Sequence, residues 1–545
     1  MNRPLSVWRA LAESLAARRG LLLLLAVAAA PFVPGALQVL RHGVPEVLFT
    51  GDGAVLEIRT LHAAHGRQLL GPYSRFLWSH PGPAFFYLAL PVYQLFHQRG
   101  PALNLFVLLA NFAAATALVL TARRLRGDLF AFVVAVLLAV YETVGAPFPL
   151  SGEWNPMTPV LPLALLLFLS ARLGRGELGP LPAIAFVASA IVQTHIGFSP
   201  SVLYLVATGA LFCLRELYLV RPTAARAGAM FDRRRAAISL LAAAGLLALL
   251  WAPPLYENLS RPDGNLHTLR LFFLAPHASE HSWRVAMEAV SGQLAIFPLA
   301  LCRLLGRATM SVGATGRHLL AIGQLLALAI GLAVALARRD EAAALLVAMA
   351  LGSIVVATSS VRAIRGEIFG YLVAWISVLG FGAWAALAAA FWPATFRGRR
   401  TAIGLLALGL PLLALALRAG GDKPLTREHD RPLEQLVAEV ETFAREARLD
   451  HPRVEILAHD QWPQAAALIL SLYKHHLGVS VPNEWLFMFG TELASDGGAH
   501  PALIVADDVT AAGLRARPDC RLIASAEGTS VFFRPAGVPS AAGLQ

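Results

Sequence analysis

The sequence predicts a polytopic α-helical membrane protein with a small α/β domain at its C-terminal end. Its 545 residues are 57% hydrophobic and only 14% charged, with a mean hydropathy of +0.60. Soluble domains are instead about 45–50% apolar and about 25% charged. The apolar residues are concentrated in runs of roughly 17–25 residues, the length at which a helix crosses a bilayer. After Gly420 these runs stop and charged residues become frequent.

The first apolar run is expected to be a membrane span at about residues 20–40. Arg3, Arg9, Arg18 and Arg19 precede "LLLLLAVAAAPFVPG", a pattern that a secretory signal peptide also shows. The many later apolar runs favour a retained helix over a cleaved signal. Its basic end then lies in the cytoplasm, and the residues after it lie on the outer face.

Short arginine clusters define the rest of the expected topology. The formal net charge is +11, and much of it lies between apolar runs at 123–126, 221–235, 338–339 and 397–400. Such clusters mark cytoplasmic loops, so a membrane explains the basic charge better than nucleic-acid binding does. About eleven spans place every cluster on the cytoplasmic side. They are expected near 20–40, 101–121, 129–147, 157–172, 180–197, 199–219, 236–256, 317–337, 342–358, 367–392 and 401–418.

Two further apolar stretches, 83–96 and 295–307, are expected to lie at the membrane interface. Counting 83–96 as a span would move the cluster at 123–126 outside, and counting 295–307 would do the same to Arg338 and Arg339. The first stretch is also short and contains Pro91. Interfacial or re-entrant helices fit both stretches better.

The residues after Gly420 predict a separate domain. "RPLEQLVAEVETFAREAR" has helical periodicity, "RVEILAHD" and "PALIVADD" read as buried strands, and "CRLIASAEGTSVFFRP" suggests two more strands. The three cysteines show neither a disulfide framework nor metal-binding spacing. We therefore expect a transmembrane domain at 1–419 with outer loops at 41–100 and 257–316. An extracytoplasmic α/β domain at 420–545 follows, all in the plasma (inner) membrane.

The expected topology collects ionisable residues from distant segments at one face of the membrane. Such residues are costly near membrane depth and are usually functional. An anionic ligand explains two arginines beside an outer span end, because arginine matches phosphate geometry. The candidates are Asp52, Glu57, Arg75, His80, Glu153, His195, Arg362 and Arg365.

Each candidate also has an ordinary structural explanation. Asp52 lies between two glycines before a helical pattern, so it can be a helix N-cap. His195 can be a packing residue near a helix end. Arg362 and Arg365 can be interfacial anchors. These alternatives remain open at this stage.

The arrangement resembles the GT-C superfamily of membrane glycosyltransferases. The features that carry the resemblance are an acid just after the first span, an interfacial "SHPGPAFFYLALPVYQLF", and a following span that ends in "ARRLRGD". Within this superfamily, the order of these features most resembles dolichyl-phosphate-mannose protein mannosyltransferases and bacterial lipid A aminoarabinose transferases. The resemblance covers residues 1–418.

The resemblance implies a polyprenyl-phosphate sugar as donor and a glycan, lipid or protein hydroxyl as acceptor, with inversion at the anomeric carbon. It implies that Asp52 is the general base, that the family's histidine-proline motif is His80-Pro81, and that Arg362 and Arg365 bind the donor phosphate. The family often has two adjacent acids, whereas Gly53 follows Asp52 here. Glu57 and Glu153 are the candidates for a second acid.

Three points stay open. Some relatives use a divalent metal ion, for which Asp52, Glu153 and the acids of the outer loop 257–316 (Glu257, Asp263 and Glu280) are candidate oxygen ligands, although no spacing requires one. A transporter or flippase of a lipid-linked substrate is an alternative function, and it would predict inverted repeats and polar groups at the bilayer midplane. A non-catalytic membrane scaffold is the other alternative.

Overall fold

The chain is mostly helical and ends in a small mixed domain. A computed structural model describes residues 18–220, 233–275, 280–306, 312–392, 399–420, 425 and 429–537. Arg3, Arg9, Arg221, Arg226 and Arg397, which the topology prediction used, lie outside these residues. Ten helices in the described ranges are long and apolar enough to cross a membrane. They are Arg18–His42, Ala102–Arg126, Asp128–Gly145, Ile196–Leu219, Arg233–Ser260, Trp283–Leu304, Ala314–Ala337, Glu341–Arg362, Gly370–Ala390 and Thr401–Gly420.

The chain divides into two compact units that interleave in sequence. The first unit comprises Met1–Arg41, Val107–Ala252 and Leu274–Pro424. The second unit comprises His42–Phe106, Pro253–Phe273 and Leu425–Gln545. One unit therefore contains most of the predicted outer loop 41–100, the start of the predicted outer loop 257–316, and the C-terminal domain.

Two of the eleven predicted spans are shorter than expected. The helices Val160–Gly174 and Leu181–Thr194 have 15 and 14 residues, about 22 and 21 Å at 1.5 Å per residue. The hydrocarbon core of a bilayer is about 30 Å thick. The run Trp283–Leu304, by contrast, is long enough, although the sequence suggested an interfacial position for 295–307.

The run Trp283–Leu304 is interrupted at Ala295, where one helix ends and Ile296–Leu304 begins. Between Phe273 and Leu425, five described helices, this run included, are long and apolar enough to cross a membrane.

The stretch 83–96 forms a short helix within the second unit. Ala84–Leu95 has 12 residues, about 18 Å in length, which is too short to cross a bilayer. It buries Phe85, Phe86 and Tyr93. These side chains pack inside the folded unit, which agrees with a helix that does not span.

The C-terminal part of the second unit is an α/β fold, as the sequence predicted. Its strands are β1 (Arg453–Ile456), β2 (Ala502–Asp507), β3 (Arg521–Ala526) and β4 (Thr529–Arg534). They form one sheet in the order β1-β2-β4-β3, in which β1 and β2 are parallel and the other pairs are antiparallel. Its longer helices are Arg431–Glu446, Trp462–Lys474 and Asp508–Arg515.

The remaining described segments with regular structure are helical. They are Gly51–Ala64, Asn265–Leu274, His459–Gln461, Asn483–Trp485, Leu486–Phe489 and Thr491–Leu493. All six lie in the second unit, except for the last residue of Asn265–Leu274. The 14 residues of Gly51–Ala64 are almost entirely buried, so this helix lies at the centre of the unit.

The topology expected from the sequence predicts which positions share a side of the membrane. In a cysteine-free background, single cysteines at Arg67, Asp263 and Asp450 should all react with a membrane-impermeant maleimide from the outer face. A cysteine at Arg124 should react only after the membrane is opened. Different sidedness among the three positions of the second unit would contradict the topology.

Candidate functional site

The helix Gly51–Ala64 presents Asp52 at its first turn. Thr50 occupies the N-cap position with extended backbone, so Asp52 is not the cap that the sequence allowed. Gly51 has φ +54°, in the left-handed region, where a side chain would be strained. A Cβ atom at Gly51 would also lie 3.5 Å from the side chains of Trp462 and Pro463. That distance is an ordinary van der Waals contact, so the backbone conformation, and not the available space, favours glycine here.

The Asp52 carboxylate lies in an aromatic corner. Its Oδ1 accepts a hydrogen bond from the Tyr73 hydroxyl. The Tyr73 ring packs edge-on against Trp462, with centroids 6.5 Å apart, and against Phe487, at 5.9 Å. Asp52 is only half-buried, and the helix N-terminus favours its negative charge. An oriented carboxylate of this kind can accept a proton from a substrate hydroxyl.

Glu57 has a different environment from Asp52, although both lie on the same helix. It is 1% exposed, and its Oε1 accepts hydrogen bonds of 2.8 Å from Tyr93 and from Lys474. Burial raises the pKa of Glu57, while Lys474 and Tyr93 oppose that rise. A Cβ atom at Gly100 would come within 2.6 Å of its Oε2. The carboxylate is enclosed in an ion pair, an arrangement that favours a structural role over that of a second acid.

The next turn of the helix contributes two more buried polar side chains. Arg59 donates to the carbonyl oxygens of Phe487 and Met488, at 2.9 and 3.1 Å. Burial lowers the pKa of Arg59 to about 10, and the Glu492 carboxylate opposes this. Arg59 thus remains a cation at neutral pH and ties the helix to the C-terminal domain.

His62 is fully buried and uncharged at neutral pH. Burial lowers its pKa to about 3, helped by Arg59, His65 and Arg67. The Glu492 carboxylate is 3.5 Å from Nδ1, which favours the charged form, but the lost hydration outweighs it. In the described part of the chain, neither ring nitrogen makes a hydrogen bond.

Arg75 and His80 lie in the loop that also carries Tyr73. The loop closes through backbone hydrogen bonds from His80 to Pro72, at 2.8 Å, and from Gly71 to His80, at 2.9 Å. His80 is buried, with its ring edge-on to Trp78 at 5.4 Å. Arg75 is exposed over the ring of Phe76. The His80 side chain is therefore packed within the loop.

The structure divides the predicted site residues between the two units. Asp52, Glu57, Arg75 and His80 belong to the second unit. Glu153, His195, Arg362 and Arg365 belong to the first unit. The two sets are described separately for this reason.

In the first unit, Glu153 lies in a buried loop. The neighbouring Trp154 packs against Tyr371, with ring centroids 4.9 Å apart. Asn155 donates to the carbonyl oxygen of Thr194 at 3.3 Å. The loop is therefore joined to the end of the helix Leu181–Thr194.

His195 follows that helix directly and packs into an aromatic cluster. Its ring is edge-on to Phe198, with centroids 5.7 Å apart. Phe198 in turn lies 5.1 Å from Trp375. The segments around Glu153, His195 and 371–375, which are far apart in sequence, therefore meet through aromatic rings.

Arg362 lies in the last turn of the helix Glu341–Arg362. Its guanidinium carbon is 4.8 Å above the ring of Trp283. Its Nε is buried and makes no hydrogen bond within the described ranges. The aromatic face holds the guanidinium in place. Its Nε–H group can therefore donate a hydrogen bond to a bound anion.

The segment after Arg362 is fixed by the predicted second outer loop. Gly366 donates its N–H to the Glu280 carboxylate, and His281 Nε2 lies 2.8 Å from the Gly366 carbonyl oxygen. Arg365 precedes this contact by one residue. Its loop position therefore depends on residues 280–281.

Several residues of the site were not predicted from the sequence. They are Tyr73, Trp78, Lys474, Trp462 and Phe487. The tryptophan-proline start of Trp462–Lys474 is visible as a helix signal. Nothing in the sequence pairs these residues with Asp52 or Glu57.

The described part of the chain shows no cluster of metal ligands around Asp52. Among the residues that the structure describes, no group of three or more His, Cys, Asp and Glu side chains could hold one. The side chains next to Asp52 are a phenol and aromatic rings, whereas Mg²⁺ and Ca²⁺ take several carboxylate or carbonyl oxygens. Of the predicted ligands, Glu257 and Asp263 share the second unit with Asp52, whereas Glu153 and Glu280 belong to the first unit.

Comparison with known proteins finds similar structures but no similar curated sequence. No protein-family model and no curated protein matches the chain. ArnT from Cupriavidus metallidurans bound to undecaprenyl phosphate is 16% identical, with a TM-score of 0.49, covering 96% of this chain and 99% of that one. Its apo state is 17% identical, with a TM-score of 0.48 and coverages of 92% and 97%.

A second similar structure is the apo oligosaccharyltransferase of Archaeoglobus fulgidus. It is 14% identical, with a TM-score of 0.40, and covers 82% of this chain and 64% of that one.

The buried Glu57–Lys474 pair generates a stability prediction. Lys474→Met leaves a buried carboxylate without its cation and should cost about 3 kcal/mol, measured as a lower thermal unfolding midpoint in detergent. The pKa of Glu57 should rise further in this variant. The folded state then binds the proton more tightly than the unfolded state, so the loss should shrink as the pH falls from about 8 to about 5.

The matched control for this prediction is the double variant Glu57→Gln/Lys474→Met. It removes the unpaired charge, so it should be more stable than Lys474→Met and lose the pH dependence. Equal unfolding midpoints for the single and double variants would contradict a buried ion pair.

Proposed function

We propose that the protein is a membrane glycosyltransferase that moves a sugar from a polyprenyl-phosphate carrier to an acceptor hydroxyl on the outer face. The observation that carries the proposal is the Asp52 carboxylate. It stands at a helix N-terminus just after the first span, half-buried and oriented by Tyr73. A carboxylate anchored this way, within a unit made of three distant chain segments, suits a general base.

The reaction is a single displacement. The acceptor oxygen attacks the anomeric carbon while the bond from that carbon to the phosphate oxygen breaks. The proton of the acceptor hydroxyl passes to Asp52, and the polyprenyl phosphate leaves with the bonding electrons. One attack opposite the leaving group inverts the anomeric configuration. General-base assistance of this kind contributes about 10²–10⁴-fold.

The leaving phosphate needs positive charge, because negative charge develops on it as the bond breaks. Arg362 is the best candidate in the first unit, since the ring of Trp283 holds its guanidinium and its buried Nε remains available. Arg365 is the second candidate. Preorganised cations in a partly dry site stabilise such charge more strongly than in water. The aromatic side chains near 371–375 suit the apolar carrier.

The proposed base makes a direct prediction. Asp52→Asn keeps the size of the side chain and its bond to Tyr73 but cannot accept the proton. Transfer from a polyprenyl-phosphate sugar should fall at least about 100-fold, with the thermal unfolding midpoint unchanged. Glu46→Gln, which removes an exposed acid six residues earlier, should retain transfer. Transfer at the wild-type rate by folded Asp52→Asn would rule out this base.

The phosphate-binding role of Arg362 predicts an effect on the donor. Arg362→Ala should raise the KM for the donor about tenfold or more, because a charged hydrogen bond to phosphate is lost. The KM for the acceptor should stay within about twofold. Arg124→Ala, an exposed arginine of a predicted cytoplasmic cluster, serves as the control. An unchanged donor KM would remove Arg362 from the donor site.

A further inference from the structure

We propose that a cavity of about 230 Å³ in the second unit binds one neutral, hydroxyl-rich ring of the acceptor. This inference rests on the proposed function and names the acceptor as a saccharide. The cavity space is many times the roughly 10–15 Å³ that one buried water needs. It is smaller than the roughly 300–1,000 Å³ of typical drug-sized sites. The cavity is therefore of a size that suits a single sugar ring.

The charges of the cavity indicate a neutral ligand. Three arginines and three acids line it, so cations and carboxylates balance. A phosphate would be repelled by the acids, and an ammonium group by the arginines. A hydroxyl group can donate to a carboxylate and accept from a guanidinium at the same time. The six residues are Arg59, Arg67, Arg261, Glu257, Asp263 and Glu492.

Two of these groups are available to a ligand. The side chains of Arg67 and Asp263 are exposed. Neither makes a hydrogen bond or an ion pair with any residue that the structure describes. Arg59, by contrast, is held by the carbonyl oxygens of Phe487 and Met488. A free cation and a free acid in one cavity can together bind neighbouring hydroxyls.

The apolar part of the lining suits the carbon face of a sugar ring. Trp78, Leu77 and Phe487 contribute to it. Trp78 is 7% exposed, so it is held firmly by its surroundings. Binding sites for small molecules combine such apolar surfaces with a few oriented polar groups.

The wall of the cavity is already ordered. The Ser79 backbone N–H donates to Asn265 Oδ1 at 2.9 Å, and Asn265 Nδ2 donates to the Ser79 carbonyl oxygen at 2.8 Å. The Asn265 N–H donates to the Glu257 carboxylate at 3.0 Å, and Arg261 lies 3.8 Å from the same carboxylate. These bonds join the first loop to the 253–273 segment. A ligand therefore meets groups whose positions are already set.

The cavity adjoins the proposed base. Arg59 follows Asp52 by seven residues on one helix, about 10 Å at 1.5 Å per residue. Phe487 lines the cavity and also packs against Tyr73, which binds Asp52. A ring in the cavity and a hydroxyl at Asp52 can thus belong to one acceptor with more than one ring.

Equilibrium binding to the full-length protein in detergent, without donor, tests this site. The probes are the methyl glycosides of glucose, galactose and mannose, with inorganic phosphate and methylammonium as charged comparators. At least one glycoside should bind, and neither ion should displace it. Arg67→Gln and Asp263→Asn should each weaken binding about tenfold. The controls Arg515→Gln and Asp450→Asn change exposed residues elsewhere in the second unit and should bind like wild type.

The outcomes separate this site from the proposed function. No glycoside binding, displacement by phosphate, or unchanged binding in both cavity variants would overturn the site. Asp52→Asn should bind the glycoside normally, and its transfer rate tests the base alone. In the transfer assay, Arg67→Gln should raise the acceptor KM and leave kcat and the donor KM within about twofold. A raised donor KM would assign the ring to the donor and overturn the acceptor site.

Discussion

The Glu57–Lys474 ion pair joins two chain segments 417 residues apart, and much of the second unit depends on it. Two ions taken out of water are stable together only where geometry and additional hydrogen bonds compensate for the lost hydration. Here the Tyr93 hydroxyl supplies one such bond, and Gly100 leaves room for the carboxylate. The pair anchors the middle of the helix Gly51–Ala64 to the C-terminal domain.

Other contacts along the same helix extend this anchor. Arg59 satisfies two carbonyl oxygens of the short helix near Phe487, and His62 is buried in its neutral form. At the helix start, Gly51 adopts the left-handed backbone conformation that precedes Asp52. The buried face thus holds the helix, while its first turn presents Asp52. The same helix is therefore held rigidly by its buried face and carries the Asp52 carboxylate at its first turn. An oriented base requires both.

The second unit brings together polar residues from three separate parts of the chain. The chain leaves the membrane-type helices three times to build the second unit, from 42–106, 253–273 and 425–545. In the first unit, aromatic contacts bring Glu153 and His195 near 371–375.

The sequence by itself determined the membrane class, the positions of most long helices, the four strands of the C-terminal sheet, and Asp52 as a candidate base. These properties are local, because apolar runs, alternating strand patterns and arginine clusters are each readable within about 20 residues. Two short helices and one interrupted run departed from the predicted spans, since packing sets where a helix ends. Only the tertiary structure decided that Glu57 is enclosed in an ion pair, that Tyr73 orients Asp52, and that balanced charges surround a cavity. The role of a polar side chain depends on its partners and its burial, and here those partners come from segments as many as 429 residues apart.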